Sequence, residues 1–333
     1  MKRVTIIDVA KEAGVSRQTV SRAVNNRGEI RAETRERVLE AVKRLGYRPN
    51  RVARGMVTQR MQTIGLVLGD IANPFFPEVA RGVQDVALAN DYHVFLYNTD
   101  NKPDIEMQGL DSLEAQTVDG IILFSHAASQ KDLLVFANRY RPVVLINRML
   151  THAHVSSLMV DNFHGAQLAV QHLAAQGHTQ IGMLTNSDLS SSKVRRVQGF
   201  RQALQARGLP IRDEWIVSTA PTLEGGYHAT HALLTRYPQI TALFGYNDLL
   251  ALGALRACHE LGRQVPKSCG IVGFDDIHLA SMVTPSLSTI RVDKYKIGQQ
   301  AMQRLLMMIE QPKSTFPPIE LDVELVVRES SII

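Results

Sequence analysis

Residues 6–25, IIDVAKEAGVSRQTVSRAVN, constrain this chain more than any other stretch. Two short helices can cross at a tight turn only if a few positions have the right size. Ala10 is small where the second helix would cross the first, Gly14 stands where the turn needs a positive φ, and Val20 fills the angle between the helices. The pattern predicts a first helix over Ile6–Ala13, with Thr5 and Asp8 at capping-box spacing. A second helix starts after Ser16, a suitable N-cap, and ends near Asn25. A third spans about Ala32–Leu45, with Val38, Val42 and Leu45 on one face, and Gly46 stops it. In YRPN, Pro49 biases Arg48 away from helix, and Asn50 can cap a short amphipathic segment, NRVARGMV, over Asn50–Val57.

Charge follows the same division. Residues 1–60 hold 15 Lys and Arg against 6 Asp and Glu, whereas the remainder holds 22 against 26. A net of +5 therefore conceals a basic head on a mildly acidic body, the footprint expected of a phosphate-backbone binder.

From Met61 the texture changes. Short apolar runs alternate with helical segments, and strands are predicted at Thr63–Gly69, His93–Asn98, Gly120–Phe124, Val143–Ile146, Leu158–Val160, Gln180–Thr185, Trp215–Ser218, Ala242–Gly245 and Gly270–Phe274. Such alternation implies βαβ units and buried parallel sheets. Nine units are too many for one sheet, so two doubly wound lobes are expected, with the boundary near Val160–Phe163. Later crossings near Thr289–Asp293 and Ile319–Val323 return the chain to the first lobe and then the second. The expected division is 1–48 for the helix-turn-helix, 49–60 for hinge and linker, and 61–333 for the body. Within the body, lobe 1 takes about 61–161 and 292–320, and lobe 2 about 162–291 and 321–333.

Over essentially its full length the chain resembles the LacI/GalR family of bacterial transcription regulators. The motifs that carry the resemblance are TIIDVAKEAGVSRQTVSRAVN, TRERVLEAVKRLGYRPNRVAR, IGLVLGDIANPFF, RRVQGF, YNDLLALGAL, IVGFDD and LVVRES. The resemblance implies an α/β chain: an N-terminal helix-turn-helix head with a hinge helix, joined to a two-lobed, doubly wound body like that of periplasmic binding proteins. It implies a DNA-binding transcriptional regulator, of repressor type, whose operator affinity is set by a small effector between the lobes. A sugar or sugar derivative is the leading effector, with a nucleoside, a purine or a partner protein as alternatives. A remoter alternative is a sugar-binding protein or enzyme on the same fold. The expected partners are double-stranded DNA with a pseudo-palindromic site, the effector, and a second copy of the chain in a homodimer.

A recognition helix presents its N-terminal residues to base edges in the major groove, which here are Ser16, Arg17, Gln18, Ser21 and Arg22. Arg reads guanine and Gln reads adenine through bidentate hydrogen bonds, and the resemblance puts base reading chiefly on Arg17, Gln18 and Arg22. It also makes Thr5, Thr19, Asn25 and Thr34 backbone contacts, with Asn50 beside them. In similar proteins a hinge leucine wedges into the minor groove. Here that position is Met56, with the small Ala53 at the helix contact. A second departure is Arg31, where the family often caps helix three with serine.

In doubly wound sheets ligands sit beyond the carboxyl ends of strands. DIANPFF after the first strand places Asp70, Asn73, Phe75 and Phe76 there, and Asn147 ends VVLIN. The resemblance adds Arg196, Asn247 and Asp275 as effector contacts, while Asp248 and Asp276 are expected as helix caps. Lys193 and Arg195 beside Arg196 raise the possibility of an acidic or phosphorylated sugar. Ser190 and Ser192 stand where purine readers are expected, and Trp215 reads as core.

No G-x-S-x-G elbow, P-loop or G-x-G-x-x-G is present, and the pairs His152/His154 and His228/His231 lack a third metal ligand nearby. A non-enzyme without cofactor or metal is expected. Cys258 and Cys269 form no CxxC pattern and are expected to be reduced. The chain opens directly in the helix-turn-helix, with no export segment or membrane span, so a cytoplasmic protein is expected. It ends at VRESSII without a further heptad helix, which favours a dimer over a tetramer.

Overall fold

The computed structural model describes residues 4–24, 28, 30–47, 60–124, 127–140, 142–188 and 190–332. The chain divides into two compact units, Met1–Met61 and Gln62–Ile333.

In the head, α1 (Ile6–Ala13), α2 (Arg17–Val24) and α3 (Ala32–Leu45) form a three-helix unit. Its core is Val9, Ala10, Ala13, Val20, Ala23, Val38 and Ala41, with Val9, Val20 and Val38 fully buried. Gly14 adopts φ +62° after α1, and Gly46 adopts φ +65° after α3. A Cβ on Gly14 would meet nothing within 4 Å, so glycine is required there by backbone conformation and not by space. The Asp8 carboxylate accepts from the Thr5 amide at 2.8 Å and the Thr5 hydroxyl at 2.7 Å, closing the start of α1. Arg31 precedes α3 with no side-chain cap, while Glu33 sits in the first turn.

The body contains two six-stranded sheets. The first is built from β1 (Thr63–Leu68), β2 (His93–Asn98), β3 (Ile121–Phe124), β4 (Val143–Ile146), β5 (Val155–Val160) and β11 (Ile319–Leu321), in the order β11-β5-β4-β3-β1-β2. The second uses β6 (Ile181–Asn186), β7 (Ile216–Thr219), β8 (Ala242–Gly245), β9 (Gly270–Asp275), β10 (Ser288–Arg291) and β12 (Glu324–Val326), in the order β12-β10-β9-β8-β6-β7. All pairs are parallel except β10 with β12. The two orders are the same winding repeated: strand one lies between strands two and three, so each sheet has a switch point, at β1/β3 and at β6/β8. The chain passes from the first sheet to the second after β5, returns after β10, and crosses again between β11 and β12.

The helices are α4 (Phe75–Ala89), α5 (Pro103–Ala115), α6 (Gln130–Arg139), α7 (Asn162–Ala175), α8 (Ser191–Ala206), α9 (Leu223–Arg236), α10 (Asp248–Glu260) and α11 (Lys294–Glu310). Parallel strands buried on both faces explain the continuous apolar runs: β3, β4, β6, β8 and β9 are buried at every residue. Helices α4 and α11 meet backbone to backbone. A Cβ on Gly82 would lie 2.1 Å from the Tyr295 carbonyl oxygen, and one on Gly298 would lie 2.1 Å from that of Val79.

Several predicted strand bounds shift, and two of the shifts have a reason in the packing. β5 begins at Val155, three residues before the predicted Leu158, because Ser156 and Ser157 are buried within it; Arg304 Nη1 donates to the Ser156 hydroxyl at 2.9 Å. Trp215 closes a 3₁₀ turn over Asp213–Trp215, and the strand starts only at Ile216. Its indole is 1% exposed and packs edge-on against Tyr237 at 6.4 Å, in the core as expected. No helix among the described residues is long and apolar enough to cross a membrane.

Candidate functional site

Two surfaces carry the candidate residues. On the head, successive residues of α2 turn by about 100°. That puts Arg17, Ser21, Gln18 and Arg22 on one arc and leaves Val20 and Ala23 opposite, in the core. Arg17, Gln18 and Arg22 are exposed, and Ser21 and Thr19 are half-buried. Ser16 is exposed but also caps α2: its hydroxyl oxygen accepts from the Thr19 amide at 3.1 Å and lies 3.0 Å from the Thr19 hydroxyl. Thr5, exposed at the start of α1, and Thr34, half-buried in the first turn of α3, mark the other two helix starts. Ile7 is 58% exposed on α1, an apolar side chain on a polar head that the sequence reading passed over. Asn25, Asn50, Ala53 and Met56 lie outside the described residues.

In the body, the carboxyl ends of both sheets open onto one cavity of about 290 Å³. β1 delivers Asn73, Phe75 and Phe76 through the loop into α4, and β3 ends on Phe124. The three rings pack edge to face, with centroids 5.3–5.6 Å apart, and form an aromatic wall on the first lobe. Asn147 follows β4 at φ +56°; its side-chain oxygen accepts from the Val160 amide at 2.9 Å, tying the end of β4 to β5. Asp70 is the exception among the predicted residues. Its carboxylate accepts from the Ala72 amide at 2.9 Å inside its own loop, and it does not line the cavity.

The second lobe contributes the charged centre. Arg196, 5% exposed on α8, donates through Nε to the Asn162 side-chain oxygen at 2.8 Å and through Nη1 to the Tyr246 carbonyl. Its Nη2 lies 3.7 Å from Asp275 Oδ1, and its guanidinium sits 3.5 Å from the Phe274 ring centroid. Burial pushes the Asp275 carboxyl up to about 6, against the pull of Arg196 and Lys294. Asp275 and Asp276 both hold positive φ, +111° and +52°. Lys294, at the start of α11, pins this turn by donating to the Asp275 carbonyl at 2.8 Å and the Asp276 carbonyl at 2.7 Å. The same ammonium lies 3.7 Å from Glu78 on α4.

Two second-lobe expectations are revised, the helix caps at Asp248 and Asp276. Asp248 is fully buried and does not cap α10. Its carboxylate accepts from the Ile277 amide at 2.8 Å and from the Thr289 hydroxyl, bracing the turn that presents Asp275. Burial and the neighbouring Asp275 charge push its carboxyl well above the ordinary range. The cap is Asn247, whose side-chain oxygen accepts from the Leu250 amide at 2.9 Å while its amide nitrogen reaches Pro221 O at 3.2 Å at the cavity edge. Asp276 caps no helix either: Arg291 and Arg328 each donate to it at 2.7 Å. Burial opposes its ionisation, but those hydrogen bonds outweigh it and hold the carboxyl below its ordinary value.

Sequence reading missed Asn101, Asn186, Asp188 and Tyr246, all of which line the cavity. Each ends or follows β2, β6 or β8, so the strand-end rule applied to every strand would have found them. Tyr246 hydrogen-bonds to the Ser192 hydroxyl at 2.9 Å, and Ser192 to Ser190 at 3.1 Å, so both serines serve the cavity wall.

Both parts of the chain match known proteins. A family model described as bacterial regulatory proteins, lacI family, matches residues 5–50. A second, described as periplasmic binding proteins and sugar binding domain of LacI family, matches residues 61–323. The chain is 37% identical over 303 residues to catabolite control protein A of Priestia megaterium, covering 91% of each chain. It is similar to the crystal structure of the lac repressor dimer bound to operator and an anti-inducer, with TM-score 0.89, 29% identity and full coverage of both chains. It is also similar to the complex of the transcriptional regulator CelR with cellobiose, with TM-score 0.75 and 30% identity, covering 98% of this chain and all of that one.

Proposed function

Since the chain belongs to the LacI family of bacterial regulatory proteins and is a DNA-binding transcriptional regulator, we propose that it is a repressor-type switch worked by a small polyol in the cleft between its lobes. The observation that carries this reading is the convergence of strand ends from both sheets on one polar cavity with an aromatic wall. Amides, hydroxyls and a carboxylate–guanidinium pair supply the bidentate donors and acceptors that vicinal hydroxyls require, and the rings offer a face for sugar C–H groups. Asn73, Phe75, Phe76, Asn147, Arg196, Asn247 and Asp275 are assigned to the effector. Arg17, Gln18 and Arg22 are assigned to bases, with Ser16 and Ser21 beside them and Thr5, Thr19 and Thr34 on the backbone.

The coupling runs through the turn at Asp275. A ligand that engages its carboxylate pulls on a backbone held by Lys294, which also faces Glu78 on the first-lobe helix α4. A shift at Asp275 is thereby felt by the α4/α11 pair. Homodimerisation is supported by exposed apolar side chains in both lobes: Phe95 and Leu96 on the edge strand β2, and Leu223, Leu279 and Met282 in the second lobe. The regulator works as a non-enzyme in the cytoplasm, where its DNA lies.

The test is titration of the full chain against its selected operator with and without ribose, galactose or cellobiose. A ligand that occupies the cleft is expected to change the operator Kd at least tenfold. A ligand shown to occupy the cleft yet leaving the Kd unchanged refutes the switch.

A further inference from the structure

The chain passes between the lobes three times, and a signal from the cleft has to leave through those crossings or the contacts beside them. The first crossing, after β5, is tied to residues that line the cleft. Val160 N donates to the Asn147 side-chain oxygen at 2.9 Å, and Arg196 Nε donates to that of Asn162 at 2.8 Å. The other two crossings meet at Asp276, which does not line the cleft although its neighbour Asp275 does. Arg291 ends β10, where the chain leaves for α11, and Arg328 follows β12, where the chain has returned. Each donates to its own oxygen of the Asp276 carboxylate at 2.7 Å.

The bracket extends across the boundary. Arg291 Nη1 donates to Glu324 at 2.7 Å, and Glu324 is its register partner at the first residue of β12. Arg328 Nη1 holds the Leu287 carbonyl just before β10 at 2.8 Å. The Asp276 side chain is 11% exposed and that of Arg328 17%, so their pair is not of the solvated kind that salt screens. The turn itself has little slack. Asp275 and Asp276 are consecutive residues at positive φ, and Lys294, beyond the second crossing, holds both their carbonyls. A displacement of the Asp275 carboxylate is therefore passed to Asp276, and from there to Arg291 and Arg328.

Resting on the reading of the cleft as the effector site, we propose that the two aspartates divide the work. Asp275 meets the effector, and Asp276 is a positioning residue that fixes the second and third crossings to the effector turn. Effector affinity and effector response are then set by adjacent residues and can be separated by substitution.

The test uses the full chain, Asp276→Asn, Arg291→Gln and the double variant. Asparagine suits the left-handed backbone at Asp276 while removing the charge, and Arg291→Gln alters a half-exposed side chain where folding is little at risk. Calorimetry with ribose, galactose and cellobiose gives sugar affinity, and fluorescence anisotropy gives the operator Kd with and without each sugar. With a sugar that shifts the wild-type operator Kd at least tenfold, both single variants are expected to bind that sugar, and sugar-free operator, within about threefold of wild type. The operator shift is expected to fall below about threefold in Asp276→Asn and to be intermediate in Arg291→Gln, which keeps the Arg328 link. The double variant is expected to match Asp276→Asn, because both substitutions cut one linkage. By reciprocity, operator should no longer alter sugar affinity in Asp276→Asn.

An undiminished shift in Asp276→Asn overturns the proposal and leaves the bracket as a stabilising contact only. Loss of sugar binding in that variant also overturns it, because the aspartates would then act as one binding unit. Should Asp276→Asn fail to fold, Arg291→Gln decides, and a full shift there overturns the proposal. A wild-type operator Kd that ignores all three sugars removes the sugar-switch reading before any substitution is made, and the proposal with it.

Discussion

At the scale of single residues, Asp275 and Arg17 make the most exposed claims. The Asp275 carboxyl sits at about 6, above its ordinary 3.8, because burial outweighs the attraction of Arg196 and Lys294. With the folded value raised, this group's contribution to stability is largest below about 4 and is lost as pH rises through 6. Ligand binding has the opposite sign. Hydroxyls that donate to the carboxylate need it ionised, so effector affinity is expected to fall about tenfold between pH 7.5 and 5. Calorimetry across that window checks this, and Asp275→Asn is expected to flatten the profile; a wild-type affinity that stays level contradicts the assignment. On the head, Arg17→Ala is expected to relax preference at one base pair per half-site, at a cost of about 1–3 kcal/mol for the preferred base. Operator selection before and after substitution reads this directly. Equal weakening for every sequence would make Arg17 a phosphate contact.

Elements bring their own constraint, in the helix pairs. Gly82 and Gly298 let α4 and α11 touch backbone to backbone, with a missing Cβ on each side standing where a carbonyl oxygen already lies. Gly298→Ala forces those axes apart and is expected to cost about 1–3 kcal/mol, as overpacking does. Lys294 opens α11 and pins the Asp275 turn, so the penalty should appear in effector response as well as in thermal stability. A variant with unchanged Tm would mean that the helices separate at no cost. Serine placement deceived the sequence reading at this scale: Ser156 and Ser157 broke the apolar run that marks β5, although both are buried. Alternation of polarity reports burial only when polar residues are solvated, and Ser156 is satisfied by Arg304 instead.

For the whole molecule the charge division matters most. A head with 15 basic against 6 acidic residues, presented twice in a dimer, should engage several phosphates. Affinity for its operator is then expected to drop by about 10³–10⁵ between 50 and 200 mM salt for 6–10 contacts. A flat salt response measured by fluorescence anisotropy would remove the basic head as the docking surface. To swing occupancy from one extreme to the other, an effector needs about 5.5 kcal/mol of differential affinity for the two states. That energy has to be delivered across the two lobes, whose repeated winding brings two sets of strand ends to one cavity.

The sequence by itself determined whatever depends on near neighbours. Ala10, Gly14 and Val20 specify the helix crossing by size and backbone freedom, and the alternation of apolar runs with helices specifies two wound sheets. It also told where to look for ligand, at strand ends, which picked out Asn73, Phe75, Phe76 and Asn147, while the family resemblance added Arg196, Asn247 and Asp275; all seven line one cavity. Only the tertiary structure decided what each buried polar group does there. Asp248 finds its partner 29 residues away at Ile277, and Asp276 finds one 52 residues away at Arg328, so neither serves the helix start that local spacing suggested. A buried carboxylate takes the donors that the fold brings within reach, because leaving it unpaired costs more than any local cap returns. Those partners are set by how the strands wind, and no local pattern of residues records them.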